Sequence, residues 1–304
     1  MNVCGREIKV AGRLIRIARL DADKYESLED PGTFLEGLRT CGRRVDLFTF
    51  MQIMPETSQK YAYPMEWDNL AVLPVSTFDH WWNHQIRSYP RNRARQAEKR
   101  GVKFRQVPFD DPLVEGIWKI YNETPIRQGK KFPHYGKSRE VVRNEAATYL
   151  DSSYFLGAFL GEELIGFAKM TCDQNGQQAN LMNILSMAQH RDKAPTNALV
   201  AQSVKLCAEK KIAYLVYQSY SYANKAPDTL AKFKENNGFQ RVDLPRYYVP
   251  LTAVGRAALQ YGYHGKLIDM VPKPWADKLR ELRTAWYNRK SQSSAESAQP
   301  AETS

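Results

Sequence analysis

The chain has 304 residues, 43% of them hydrophobic, which is ordinary globular usage and enough for one large domain or two small ones. Its 44 Lys and Arg against 33 Asp and Glu give a net charge of +11, a bias towards polyanionic partners such as phosphorylated cofactors, nucleotide-linked substrates or RNA. No apolar stretch reaches the roughly 18 residues of a membrane span and no secretory leader is evident, so a cytoplasmic location is expected. Four cysteines without CxxC spacing read as reduced thiols.

Residues 7–20 alternate loosely around Gly12 and predict two strands. A helix is expected after Asp30-Pro31, with Phe34, Leu35 and Leu38 on one face, followed by strands at Leu47–Met51 and Leu70–Val75. Residues 1–76 therefore read as a reduced αβ portion that packs on the larger domain C-terminal to it. From Ser76 or Thr77 a helix presents Trp81, Trp82 and Ile86, and Pro90 predicts a kink or restart near Tyr89. Arg87, Arg91, Arg95 and Lys99 then recur every four residues along one helical face, with Glu98 the single acid between Arg87 and Arg105. Like charges at that spacing repel by a few tenths of a kcal/mol per pair. The stripe is either a solvated face or a contact for phosphate, and Arg91 and Arg95 are its candidate ligands.

Val102–Val107 reads as a strand, and Pro112–Glu123 and Ser138–Leu150 as helices. The basic loop between those helices, Thr124–Lys137, is long for a compact domain, a length that usually signals function. Tyr154–Leu160, Leu164–Met170 and Asn180–Met187 predict an antiparallel meander turning at Gly161-Glu162-Glu163 and at Asn175-Gly176. Thr196 is the expected cap of a helix closing at Lys210-Lys211, and Ile212–Tyr217 reads as a buried strand. Pro227 opens a further helix that Gly238 stops, and Phe239–Val249 is the last strand. A helix between Asn180–Met187 and Ile212–Tyr217 makes a right-handed crossover of parallel strands, so a ligand belongs where those two strands end. Beyond them, Leu251–Lys290 predicts helices, and 291–304, made only of Ser, Gln, Ala, Glu, Pro and Thr, predicts a disordered tail.

This element order resembles the acyl-CoA N-acyltransferase (GNAT) superfamily, and more closely its FemAB-like, BioF2-like branch. The resemblance rests on the run Arg93–Val102, on Phe233-Lys234 leading to Asn236-Asn237-Gly238-Phe239, and on the order itself, and it spans roughly Asn69 to Pro250. It implies an α/β fold with a GNAT-like mixed sheet, an antiparallel meander followed by a parallel β-α-β crossover, and helices on both faces. The transferase domain would occupy 77–250, beside a reduced N-terminal half (1–76) and a helical extension (251–290). FemAB-like proteins often carry two related domains.

The implied activity joins an activated acyl or aminoacyl group to an amine without a metal or a tightly bound cofactor, the donor being acyl-CoA or aminoacyl-tRNA. In GNAT enzymes the donor pyrophosphate sits on a helix N-terminus in a loop of pattern Gln/Arg-x-x-Gly-x-Gly/Ala. Here that loop is Arg191-Asp192-Lys193-Ala194-Pro195-Thr196, with Ala194 and Thr196 in place of the glycines. Arg191, Lys193 and Thr196, with Asn224, are the donor-side candidates, and the missing glycines favour the branch that includes aminoacyl-tRNA users. A leaving group needs a proton, and Gln218–Asn224 holds suitable hydroxyls: Tyr220 first, then Tyr222. Asn183 and Lys169 are placed to orient the acceptor. In the FemAB-like pattern the 124–137 loop borders the acceptor channel, which adds Arg127, His134 and Tyr135. Lys234 falls on the lysine of the Phe-Lys motif, where acceptor phosphate or carboxylate contact is implied. The rival reading is a non-catalytic relative that binds tRNA, other RNA or another anionic partner through the 87–105 stripe.

Overall fold

The chain opens with β1 (Asn2–Val3), β2 (Arg6–Ala11) and β3 (Ile17–Leu20), paired antiparallel in sequence. The turn between β2 and β3 needs Gly12, whose φ is +95° and whose missing Cβ would stand 2.0 Å from the Ile15 carbonyl oxygen. Asp30 accepts the Thr33 amide and Pro31 begins α1 (Pro31–Thr40), which buries Phe34, Leu35 and Leu38. The helix is a crossover, for β4 (Leu47–Met51) returns parallel to β3. After β5 (Met65–Pro74), α2 (Phe78–His80) runs into a π-helical turn at Trp81–Gln85 and stops. A new helix, α3 (Ser88–Lys99), carries Pro90 in its first turn, where the missing N–H costs nothing, so the break expected near Tyr89 falls at Ile86-Arg87.

Next come β6 (Val102–Val107), α4 (Asp111–Asn122) capped by Asp110, the ribbon β7 (Ile126–Arg127) with β8 (Lys130–Lys131), and α5 (Arg139–Ala146) capped by Ser138. The predicted meander is β9 (Ser153–Leu160), β10 (Glu163–Cys172) and β11 (Gln178–Ser186), followed by α6 (Pro195–Lys210), β12 (Tyr214–Ser219), α7 (Thr229–Asn236), β13 (Gln240–Pro250) and α8 (Ala253–Gln260). The computed structural model describes residues 1–23, 25–127, 129–221 and 229–264. The helix expected from Pro274 and the tail 291–304 lie outside the described residues. No helix among the described residues is long and apolar enough to cross a membrane.

Eleven strands form one mixed sheet in the order β1-β2-β3-β4-β13-β5-β12-β11-β10-β9-β6. The order reads alike from both sides of the β13/β5 pair: β3–α1–β4 on one side and β11–α6–β12 on the other are parallel crossovers. The last strands of the two halves are exchanged, β5 pairing with β12 and β13 with β4. The division expected at residue 76 therefore follows no break in the sheet. Arg246 of β13 clasps the exchange, its guanidinium 2.9 Å from both Asp68 of β5 and Asp23. The larger core lies under α3, α4 and α6 and includes Trp81, Ile117, Ile120, Ile165, Leu199, Val204 and Phe239; a second, around Phe34, Phe48, Phe50 and Tyr247, belongs to the N-terminal half.

Asp46 ties the far end of the N-terminal half together. Its side chain, fully buried, accepts from the Arg16 amide at 2.9 Å, Arg44 Nε at 3.0 Å and Thr252 Oγ1 at 2.8 Å, while its carbonyl accepts from Leu251 N–H at 2.9 Å. Burial alone works to raise its pKa, but the bonds from Arg16, Arg44 and Thr252 together hold the carboxyl below its ordinary value of 3.8. Asp46→Ala leaves those donors unpaired and is expected to cost about 2–4 kcal/mol in denaturant unfolding at neutral pH. Because the folded-state pKa is depressed, the wild-type contribution is present above the ordinary carboxylate range and lost as pH falls below it; Asp46→Asn should remove that part of the acid dependence.

Candidate active site

Beyond their first residues, β11 and β12 part. Only Gln178, Ala179 and Asn180 pair with Tyr214, Leu215 and Val216. Each strand then carries an irregularity. In β11, Asn183 faces Lys169 and Leu181 faces Met170, which leaves Met182 unopposed. In β12, Val216 faces Val72 and Ser219 faces Leu70, which leaves one extra residue, and Gln218 adopts a φ of +47°. A bulge bends its strand and increases the local twist. Two of them on facing strands open a wedge, along which the Leu181–Ser186 backbone has no further strand partner on the β12 side among the described residues. Asn69 fixes the other lip, its carbonyl and Oδ1 accepting the Tyr220 and Ser221 amides at 3.2 and 2.8 Å.

The N-terminus of α6 lies at the mouth of this wedge. Ala194 precedes it at φ +55°, the left-handed conformation for which glycine is the usual choice, so the backbone keeps the loop's shape although the glycine is gone. Pro195 has no N–H, and Thr196 and Asn197 supply the orphan amides with which a helix begins. Thr196 is not the expected cap. It sits inside the first turn, its Oγ1 2.8 Å from Ser186 Oγ, and so links the end of β11 to the start of α6. Arg191 is exposed, and its carbonyl accepts from Arg93 at 3.0 Å. Lys193 lies 3.5 Å from Asp192, which also takes Arg100 at 3.1 Å. Two arginines of the 87–105 segment therefore hold the loop, and Asp192 offsets part of its charge.

The 124–137 loop does border the wedge, but Arg127 is a brace rather than an open ligand. Its guanidinium donates to the Ser186 carbonyl at 2.8 Å, to the Ile120 carbonyl at 2.7 Å and to Glu123 at 3.1 Å, and lies over the Phe132 ring. Glu123, which sequence reasoning missed, accepts the Ala188 and Gln189 amides at 2.7 and 2.9 Å. The available signal was the four-residue spacing of Glu123 and Arg127 across Pro125. His134 packs on Tyr121 with ring centroids 4.3 Å apart and its Nδ1 3.1 Å from Lys137 Nζ; burial and Lys137 push its pKa down, so it is neutral at pH 7. Tyr135 is exposed.

The two acceptor-side candidate lysines are buried. Lys169, expected to orient the acceptor, instead sends its ammonium 2.9 Å from the Ala146 carbonyl and onto the Thr148 carbonyl, closing the end of α5; burial lowers its pKa to about 8. Lys234, expected on acceptor phosphate or carboxylate, is fully buried, with Nζ 2.5 Å from the Ser219 carbonyl and 4.9 Å from the centre of the Tyr217 ring. It thus holds the end of β12. In the stripe, Arg91 donates to the Trp82 carbonyl at 3.0 Å, and Arg95 lies over the Trp82 ring at 5.4 Å while remaining exposed. Asn183 falls just past the β11 bulge, and Tyr220 stands half-buried beyond β12, packed against the main core. Tyr222 and Asn224 lie outside the described residues.

No family model matches the sequence, and no curated protein does. Among solved structures, L-PGS from Bacillus licheniformis is similar over 83% of each chain, with 15% identity and a TM-score of 0.55. The C-terminal domain of a lysylphosphatidylglycerol synthetase from Agrobacterium fabrum matches over 83% of each chain at 13% identity, with a TM-score of 0.54. FemX overlaps less well, 72% of this chain on 69% of its own at 12% identity, with a TM-score of 0.47. At such identity the likeness is one of fold, and the fold is the GNAT-like mixed sheet expected from the sequence.

The brace is testable without a substrate. Glu123→Gln weakens the hold on two amides and on a mostly buried guanidinium, and should cost about 1–3 kcal/mol of stability. Amide exchange should accelerate first in 186–190, ahead of the rest of the sheet; uniform acceleration would mean that Glu123 supports the fold generally rather than the wedge.

Proposed function

We propose that the chain is an N-acyltransferase that passes an acyl or aminoacyl group from a phosphate-bearing activated donor, acyl-CoA or aminoacyl-tRNA, to an amine. The observation that carries this reading is the wedge between β11 and β12 with the α6 N-terminus at its mouth. The donor carbonyl would lie in the wedge against the unpartnered β11 backbone, whose N–H groups polarise it. Its phosphate would meet the Thr196 and Asn197 amides, the positive end of the α6 dipole and the Arg191 guanidinium. The amine attacks the carbonyl carbon, the tetrahedral intermediate collapses with cleavage of the bond to sulfur or ribose oxygen, the leaving group takes a proton from Tyr220, and the proton lost by the attacking nitrogen passes to solvent, which reprotonates the tyrosine. Lys234, Asn69, Arg127 and Glu123 act on the backbone of the two lips and keep the wedge at fixed width. Arg93 and Arg100, which lie off the four-residue stripe, hold the 191–192 loop, and Arg91 is spent on the Trp82 carbonyl, while Arg87, Arg95 and Lys99 of the stripe remain exposed.

Donor titration and single-turnover rates on the same variants test the assignment. Arg191→Ala with Lys193→Ala should weaken binding of acyl-CoA or aminoacyl-tRNA at least about tenfold, roughly 1.4 kcal/mol. Tyr220→Phe should bind donor as the wild type does and turn over more slowly, because a general acid acts in the transition state. Normal donor affinity in the double variant would remove the α6 terminus as the phosphate site.

A further inference from the structure

The end of the molecule gathered by Asp46 is strongly cationic. Three segments meet there: the turn between β2 and β3, the loop that follows α1, and the start of α8. Residues 8–20, 37–45 and 244–264 contain no Asp or Glu. Arg13, Arg16, Arg43 and Arg256 are exposed, whereas the carboxylate they surround is buried and already paired with Arg44 at 3.0 Å. On the tip of the turn, between Arg13 and Arg16, Leu14 is 86% exposed, more than any other large hydrophobic side chain among the described residues. Val254, on the first turn of α8, is exposed on the same end.

A single exposed leucine is ordinary by itself. One held on a tight glycine turn with arginines around it has the chemistry of a wedge with a cationic collar. The collar asks for an anionic partner, which phosphates of RNA or of lipid could each provide. The apolar tip favours lipid, because an aliphatic side chain enters a nucleic acid only by unstacking neighbouring bases at a cost of a few kcal/mol, whereas acyl chains lie just beneath lipid headgroups. We infer that this end of the protein docks reversibly on an anionic lipid surface, with Leu14 at the acyl boundary and Arg13, Arg16, Arg43 and Arg256 among the headgroups. Charge supplies most of the attraction, so binding falls with salt. The inference is independent of the transferase reading and uses none of its residues.

Flotation of the full chain tests it, with vesicles of phosphatidylcholine alone or with about one third phosphatidylglycerol, at low and at physiological salt. The protein should float only with the anionic vesicles, and less at higher salt. Arg13→Glu with Arg43→Glu should lower the bound fraction about tenfold or more, and Leu14→Asp should lower it while leaving the melting temperature unchanged, since all three side chains are exposed. The milder Leu14→Gln and Arg13→Gln serve if either charged variant melts early. Equal flotation with neutral vesicles, no flotation at all, or indifference to these substitutions overturns the inference. So does a plain tRNA transcript that binds through Arg13 and Arg43, is indifferent to Leu14→Asp, and leaves vesicles unbound.

Discussion

Two neighbouring strands that share only three residue pairs set the terms for the whole site. A parallel pair normally satisfies its backbone along its full length, and here the bulges at Met182 and Gln218 forbid it. Past Leu181 the β11 backbone is only partly buried, and it has no strand alongside on the β12 side among the described residues. Such a gap helps only if it cannot close. Arg127 and Glu123 hold the β11 lip, Asn69 and Lys234 the β12 lip, and each does so through backbone atoms. The backbone of both lips is thereby fixed in advance.

The same architecture occurs twice, with the helix N-terminus capped by a side chain in one half and uncapped in the other. In both halves a helix starting on proline joins two parallel strands that share three residue pairs. At α1, however, the first turn is preceded by Glu29 and Asp30, and Asp30 occupies the Thr33 amide itself. Bonds from the Thr33 side chain and then its amide lower the Asp30 pKa, so a negative charge stands at the N-terminus of α1. At α6 no side chain caps the helix, and a left-handed alanine leaves the terminus open. The two crossovers share their geometry and differ in their electrostatics.

Element positions were legible in the sequence because periodicity and punctuation are local. The meander, the crossover and the Pro90 restart all follow from spacing, Gly and Pro. Partner choice was not legible, since the alternation along β5 or β13 says which face is buried and nothing about which strand lies alongside. The burial of Lys169 could have been read: it stands inside Glu163–Cys172, an otherwise near-continuous apolar run in which a solvated ammonium has no place. Lys234 gave less warning, because neighbouring Lys232 made the helix face look solvated. Thr196 was misread because a Thr before an apolar helix is a strong cap signal, while the true boundary was Pro195, whose fixed φ suits the first helical position. For the 87–105 stripe, the charges were visible but their internal acceptors, carbonyls of Trp82, Arg191 and Asp192, were not.

The exchange of β5 and β13 has a consequence for how the chain is made. β4 ends at Met51, yet its neighbour on the β13 side ends at Pro250, so the first half cannot complete its sheet until the second half has left the ribosome. At about 5–20 residues per second that interval is on the order of 10–40 seconds. Throughout it β4 presents the open edge of Phe48 and Phe50, the second of which later stacks on Tyr247 of the late strand. The two halves are thus obliged to finish together, and the nascent N-terminal half is the stretch with most reason to be met by a chaperone.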